Sequence, residues 1–246
     1  MEKIFLEIFE SLPRQGPGDK ASTRRAFEKL RLPEYPEILD AGCGTGAQTL
    51  TLAALTRGRI TALDSHPEFI KILRKNIRRK HLEERIIPLE GDMGNLTFPP
   101  ESFDAIWSEG AAYIIGFGRA LWYWRKFLTP GGGLAASELV WFRDNPPEEA
   151  AAYFTREYPD IKYYKDIFSV ISGAGYELLE YFPLPESAWW ENFYSPAIKK
   201  LAEMKIKHGT AKSAMAVIGE FEKEIDFHRK YSGYCGYGFY VMKKKI

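Results

Sequence analysis

Three glycines at alternate positions, Gly42, Gly44 and Gly46, follow the stretch Ile38-Leu39-Asp40-Ala41 and precede Ala47–Leu55. The first stretch reads as a short buried strand and the second as a helix, so the glycines form the turn between them. Such a turn brings backbone close to a ligand with no Cβ in the way. The helix behind it presents free N–H groups and the positive end of its dipole. That chemistry suits an anionic or polar cofactor, and two patterns fit. Gly42, Gly44 and Ala47 satisfy G-x-G-x-x-G/A, the dinucleotide fingerprint. Gly42, Gly44 and Gly46 with Asp40 satisfy D-x-G-x-G-x-G. A carboxylate at Asp40 suits a ligand with an ammonium group and repels a pyrophosphate.

More acids stand where strands end. Arg59–Asp64 reads as a second strand whose last residue lies 22 positions beyond Gly42, the place of a ribose-binding acid. Ser65-His66-Pro67-Glu68 then opens a helix, with Ser65 and Glu68 spaced as a capping box and Pro67 in the first turn. Phe69, Ile70, Leu73 and Ile77 form its inner side, and the basic run Arg74–Lys80 its solvated face. Arg85–Asp92 is a third strand ending in Gly91-Asp92. Ser102–Gly110 is a fourth, ending in Ser108-Glu109. A helix over about 119–128 is stopped by Thr129-Pro130-Gly131-Gly132-Gly133, and Leu134–Val140 is a fifth strand. Alternating strands and helices predict an α/β fold with a largely parallel sheet covered on both faces.

The flanks complete the outline. Ile4, Phe5, Ile8, Phe9 and Leu12 have helical spacing, and a second helix covers about 20–30. Between them Arg14-Gln15-Gly16-Pro17-Gly18 is a loop, read either as a connector or as a flap over the cofactor with Gln15 and Gly16 at its tip. Helices follow at about 148–156 and 161–172, the latter with Gly173 after its end. Tyr176–Phe182 is a sixth strand. Residues 187–231 form a two-helix insertion, and Gly236–Lys243 is the final strand, with Phe239 and Val241 alternating with Tyr240 and Met242. The whole is organised as a single domain over 1–246: N-terminal helices and flap over 1–34, core over 35–186, helical cap over 187–231, final strand over 232–246.

Five stations therefore recur in order: the Asp40–Gly46 turn, Asp64, Gly91-Asp92-Met93, Phe103-Asp104-Ala105-Ile106-Trp107 leading to Ser108, and Lys126–Gly132 before a fifth strand. Over residues 35 to 140 their order and spacing resemble a class I S-adenosylmethionine (SAM)-dependent methyltransferase, of the kind grouped with the ubiquinone-biosynthesis and other small-molecule methyltransferases. A NAD(P)-dependent oxidoreductase accounts for the first two stations only. The resemblance implies a Rossmann-like, seven-stranded, mostly parallel sheet with its last strand antiparallel, and a helical insertion before that strand. It implies that Gly42, Gly44 and Gly46 pass the methionine portion and ribose, and that Asp64 binds the ribose hydroxyls. Ser65 and His66 would lie beside the adenine, and Asp92 and Met93 would meet its edge. Ser108 and Glu109 would line the methyl end. The product would be S-adenosylhomocysteine (SAH).

Such chemistry requires no metal, triad or covalent nucleophile, since the cofactor brings an activated methyl. A general base helps a hydroxyl or acidic-carbon acceptor. Glu109 is the first candidate, with Tyr113 and His228 weaker ones; Glu109 also suits binding of the cofactor ammonium or capping of the next segment. His228 continues an apolar helical stripe and reads as a packed core histidine, and His208, before Gly209, as structural. Asn145-Pro146-Pro147 follows strand five rather than strand four, which argues against a nucleic-acid amino-methyltransferase. The aromatics of the insertion, Trp189, Trp190, Phe193, Tyr194, Phe221, Phe227 and Tyr231, with Tyr234 and Tyr237 after it, suit core packing, a cap over an apolar substrate, or the interface of a homodimer.

Composition sets the surroundings. A net charge of +1 gives no strong field toward nucleic acid or anionic lipid. Two distant cysteines, Cys43 and Cys235, make no metal or dithiol pair and suit a reducing cytoplasm. The acids in the first apolar run argue against a signal peptide, and no apolar run approaches the roughly 20 residues of a spanning helix. The expected partner is a small-molecule substrate. A non-catalytic SAM-binding protein stays open beside the enzyme.

Overall fold

In a computed structural model, which describes residues 2–245, the predicted alternation resolves into one mixed sheet wrapped by helices. Helices α1 (Glu2–Phe9) and α2 (Lys20–Leu30) come first. Then follow β1 (Glu37–Ala41), α3 (Ala47–Leu55), β2 (Arg59–Asp64), α4 (Pro67–Arg79), β3 (Ile86–Glu90), β4 (Phe103–Glu109), α5 (Phe117–Trp124) and β5 (Leu128–Trp141). Next are α6 (Glu148–Glu157), the two-residue β6 (Lys162–Tyr163), α7 (Tyr164–Gly173) and β7 (Tyr176–Pro183). The insertion holds α8 (Glu186–Trp189), a π-helical turn at Trp190–Tyr194, α9 (Ser195–His208) and α10 (Lys212–Tyr231), and β8 (Cys235–Lys244) follows.

The strand order is β3-β2-β1-β4-β5-β8-β7, with β6 paired to the far end of β5. Strands β3, β2, β1, β4 and β5 pair in parallel, and β8 runs antiparallel to β5 on one side and β7 on the other. The order reverses between β1 and β4, so a crevice opens outside their carboxyl ends, where open α/β sheets bind ligands. Side chains alternate between two buried faces. Ile38 of β1, Trp107 of β4 and Phe239 and Val241 of β8 share one core with α2, α3, α4 and the insertion. Leu39, Ile106, Tyr240 and Met242 share the other with α5 and α7. Strand β3 is an edge, and it carries Pro88, which an inner strand with two ladders does not tolerate.

Four local expectations are corrected. Ser65 and Glu68 make no capping box: His66 is the N-cap of α4, and its N–H donates to Asp64 Oδ1 at 3.0 Å. The Ser65 hydroxyl lies instead 3.3 Å from His66 Nδ1, and no side chain among the described residues caps the helix. The Thr129–Gly133 run does not stand between helix and strand. Strand β5 starts at Leu128, and its register against β4 jumps from Phe103↔Leu128 to Ala105↔Gly133, so Pro130-Gly131-Gly132 is bulged out of the ladder. Lys162 and Tyr163 pair with Val140 and Trp141, which delays α7 to Tyr164. Gly173 is helical, and the left-handed residue behind the helix is Gly175, at φ +85°.

One buried acid in the sheet lacks, among the described residues, a partner for one of its oxygens. Glu138 lies in the middle of β5 opposite Gly238, and its Oε2 is buried without a partner among the described residues. Burial, and then the charge of Asp160, pushes its pKa up to about 8. Its folded pKa exceeds the unfolded value, so the folded state holds a proton that the unfolded chain releases above about pH 4. Glu138 is therefore harmless below that pH and costs stability as pH rises toward 8. Glu138→Gln is expected to raise the melting temperature at pH 8 by roughly 2–4 °C, a gain of order 1 kcal/mol, and to leave it unchanged at pH 4. Thermal unfolding followed by circular dichroism at the two pH values checks this; a pH-independent difference contradicts it.

Candidate active site

The glycine turn is clamped to the end of β2. The N–H groups of Gly42 and Cys43 donate to Leu63 O at 2.8 and 3.0 Å, and Gly44 N–H donates to Asp64 Oδ2 at 2.8 Å. Gly42 and Gly44 have φ of +79° and +54°. A Cβ on Gly42 would stand 2.4 Å from Ala111 Cβ, and one on Gly44 2.5 Å from Gln15 Oε1. Conformation and contact both demand glycine at these two positions.

The loop after α1 forms a roof over this turn. Gln15 Oε1 accepts from Thr45 N–H at 2.8 Å and from the Thr45 hydroxyl at 3.0 Å, while its Nε2 donates to Phe9 O and Leu12 O. Arg14 Nη2 donates to Glu109 Oε2 at 2.5 Å. Glu109 Oε1 accepts from Thr23 Oγ1 at 2.7 Å and Trp107 Nε1 at 2.8 Å. The Arg14 and Glu109 side chains are 9% and 1% exposed, so this ion pair lies in the interior. Gly18 N–H reaches Ala188 O, which joins the loop to the insertion.

Between roof and sheet lies a cavity of about 360 Å³. One part of its wall comes from the roof and the ends of β1 to β3: Gln15, Gly16, Gly42, Gly44, Asp64, Ser65, His66, Asp92 and Met93 all face it. The His66 ring stacks on Phe69, with 5.1 Å between centroids. Asp92 Oδ1 accepts from Gly94 N–H at 2.7 Å, which fixes its carboxylate at the end of β3. The other part of the wall comes from the insertion and the adjoining ends of β5 and β8, through Leu139, Trp189, Tyr194, Glu224, His228 and Tyr237.

Three expected site residues do not reach the cavity wall. Asp40 is fully buried on the α3 side of β1; its Oδ2 accepts from Thr49 Oγ1 at 2.6 Å and its Oδ1 from Gln48 Nε2 at 3.2 Å. Burial pushes its pKa up to about 7, against the lowering effect of those two bonds. It ties strand to helix and is not placed to meet a ligand ammonium. Gly46 is the N-cap of α3, and a Cβ there would stand 2.3 Å from Leu73 Cδ1, so close packing of α4 explains it. Ser108 is fully buried, and its hydroxyl donates to Ala41 O at 2.9 Å, joining β4 to β1.

The proposed bases change as well. Both Glu109 oxygens are engaged, so it is an anchor rather than a free base. Tyr113 stands at the mouth, edge-on to Tyr158 at 5.5 Å, and burial of its hydroxyl pushes its pKa up, so it keeps its proton. His228 is buried but faces the cavity, contrary to the packed-core reading. It stacks on Trp189 at 4.1 Å, and burial pushes its pKa down to about 4, leaving it neutral. His208 is structural as expected, its Nε2 lying 3.1 Å from Glu7 Oε2. Sequence reasoning missed Arg14 and Glu224. For Glu224 a signal exists: it lies three residues after Phe221 and four before His228, on the buried stripe of its helix, where an acid is out of place. Of the insertion's aromatics, Trp189, Phe193 and Tyr194 line the cavity, while Phe227 stacks on Tyr153 at 4.0 Å, away from it.

Among known proteins, residues 38–132 match a family model described as a methyltransferase domain. The chain is 30% identical over 173 residues to a demethylmenaquinone methyltransferase of Tropheryma whipplei, covering 68% of this chain and 66% of that one. Other curated methyltransferases are matched over 43% to 62% of their own length, so the chain spans less than two thirds of them. A SAM-dependent methyltransferase of Geobacter sulfurreducens, solved with SAH, superposes with a TM-score of 0.86 over 100% of this chain and 99% of that one, at 18% identity. The [4+2]-cyclase SpnF superposes with a TM-score of 0.73 over 92% of this chain and 81% of that one, at 22% identity. At such identities these superpositions establish the fold alone.

The roof has a direct test. Arg14→Ala strands the buried Glu109 carboxylate without its partner, at a cost of roughly 3–5 kcal/mol. The expected result is a lower urea midpoint and faster proteolysis between residues 10 and 19. An unchanged midpoint with unchanged protection would show that the ion pair does not hold this segment.

Proposed function

We propose, from a chain whose residues 38–132 match a methyltransferase-domain family and whose fold superposes on a SAM-dependent methyltransferase, an enzyme of the class I SAM-dependent kind that moves a methyl group from SAM to a small-molecule acceptor. The observation that carries this is the continuity of one cavity from the glycine turn to the underside of the insertion. A cofactor seated on the turn would share an enclosed space with an acceptor held by the insertion.

The residues present suit the cofactor. Two carboxylates, Asp64 and Asp92, end adjacent parallel strands and face the cavity, where they match a ribose diol and an exocyclic amine, which are hydrogen-bond donors. Gly42 and Gly44 leave bare backbone between them and the roof. Phe69 and Met93 supply apolar surface for a planar base. Bound SAM supplies a methyl already activated by its sulfonium. The work left to the chain is position: Gln15 and Arg14 hold the roof closed, and the insertion, read as a cap over residues 187–231, fixes the acceptor and keeps water out. Holding reactants in near-attack geometry is worth up to roughly 7–11 kcal/mol in favourable cases. No helix among the described residues is long and apolar enough to cross a membrane. Two buried free thiols, Cys43 and Cys235, support the reading of a cytoplasmic protein.

Calorimetry separates the cofactors: SAM and SAH should bind and NAD should not. Asp64→Asn should weaken SAM binding by about tenfold, since it removes the charge while keeping one acceptor for the backbone. Transfer of labelled methyl from SAM to extractable product across a metabolite panel tests catalysis. Tight NAD binding without SAM binding would overturn the reading, and SAM binding with no transfer to any acceptor would leave a binding protein in its place.

A further inference from the structure

The insertion's side of the cavity is rich in groups that attract positive charge. Glu224 projects from α10 into this space. Tyr194 donates its hydroxyl to Glu224 Oε1 at 3.0 Å, and no cationic side chain among the described residues pairs with the carboxylate. Around it, Trp189 lies 5.7 Å from Tyr194 and 5.1 Å from Tyr237, ring centre to ring centre, and Tyr113 meets Tyr158 edge-on. The hydroxyls of Tyr113, Tyr158 and Tyr237 make no hydrogen bond to the described residues, although all three side chains line the cavity. His228 Nε2 is buried there without a hydrogen-bond partner; Glu186 Oε1 lies 3.3 Å away but not in hydrogen-bonding geometry.

We propose that this part of the cavity is a cation subsite, which takes a small amine as the methyl acceptor, with Glu224 as its counter-charge. The inference rests on the methyl-transfer reading above and narrows it to a substrate class. A carboxylate withdrawn from water is costly unless it binds a proton or a cation. Aromatic faces attract cations through their quadrupoles, most strongly where water is excluded. Carboxylate, ring faces and unengaged phenol oxygens together are complementary to an ammonium group. Among the described residues lining the cavity the one arginine, Arg14, is already paired with Glu109, so an anionic acceptor meets no free Lys or Arg there. Burial also pushes Glu224 up to about 7, the range in which a carboxylate exchanges a proton with an amine through the reaction cycle.

The approach has the same character. A second cavity of about 410 Å³ shares Phe5, Phe9, Tyr113, Tyr158 and Glu224 with the first, and adds Glu157 and Glu220. Glu157 is paired with Arg156 at 2.6 Å. Glu220 enters no ion pair among the described residues, so the lining of this second opening is acidic and aromatic, with Arg156 and Lys223 over its Tyr153 ring at 5.5 and 5.7 Å. In the reaction the ammonium first gives a proton to Glu224. The freed nitrogen lone pair then forms the N–C bond as the C–S bond breaks, with its electrons left on sulfur. The methylated ammonium and SAH are the products, and the proton on Glu224 passes to solvent.

Calorimetry on SAH-saturated protein tests the subsite with matched pairs: benzylamine against benzyl alcohol, and further primary, secondary and quaternary amines each against its neutral isostere. The cation of at least one pair should bind about tenfold or more tightly than its isostere, and Glu224→Gln should erase that preference. Tyr194→Phe, which removes the bond orienting the carboxylate, should reduce the preference without erasing it. SAH affinity and melting temperature report whether each variant is folded. If SAH binds and no pair favours the cation, or if the preference survives in folded Glu224→Gln, the subsite is overturned. Failure of SAH itself to bind overturns the methyl-transfer reading instead.

Discussion

A carboxylate almost wholly removed from solvent fixes the geometry of the binding face. Glu109 ends β4 at the point where the strand order reverses, and it takes bonds from Arg14, Thr23 and Trp107 at once. A buried ion costs desolvation that only a complete set of partners offsets, so the three are held together or not at all. Arg14 lies 95 residues away in the chain. Its loop is thereby tied to the middle of the sheet, Gln15 is brought onto Thr45, and α1 is carried along with its Phe9. That ring stacks on Phe221 of α10 at 5.3 Å, so roof and cap are referenced to the same strand end.

The acids of the chain fall into groups with different work. Asp64 and Asp92 have their carboxylates oriented by backbone N–H groups and face the cavity. Asp40 faces a helix, where neutral hydroxyl and amide donors hold it. Glu138 and Glu224 lack a cationic partner among the described residues and shift upward with burial. Position relative to the cavity separates these roles, not residue type.

How far the sequence carries follows from the kind of signal. The spans 20–30, 47–55 and 59–64 are read to the residue, because apolar period and turn residues agree there. The part of the cavity wall near the glycine turn is legible for a similar reason: its residues cluster in short segments after successive parallel strands. What fails is direction. Asp40 and Ser108 stand at strand ends, as Asp64 does, but strands alternate faces every residue, and these two point into neighbouring elements. Gly46 fits a binding pattern, yet the space it clears is filled by Leu73. The part of the wall beneath the insertion is illegible for another reason. Glu224 of α10, Leu139 of β5, Tyr237 of β8 and Tyr158 just past α6 are joined only by long-range packing, and no spacing in the chain announces that they meet. The short β6 is likewise created by its partner β5 rather than by its own two residues.

Strand β8 sits between β5 and β7, yet it is the last of the eight to leave the ribosome. Until it arrives, β5 has an open inner edge and β7 has no ladder partner in the sheet. The order of synthesis and the order of the sheet thus disagree. Non-local pairing of this kind slows folding and leaves unpaired edges exposed in the nascent chain. The same late insertion draws α8 to α10 back over the sheet as β8 docks. Closure of the sheet and closure of the aromatic wall of the cavity thus wait on the same strand, since β8 brings Cys235 and Tyr237 to that wall.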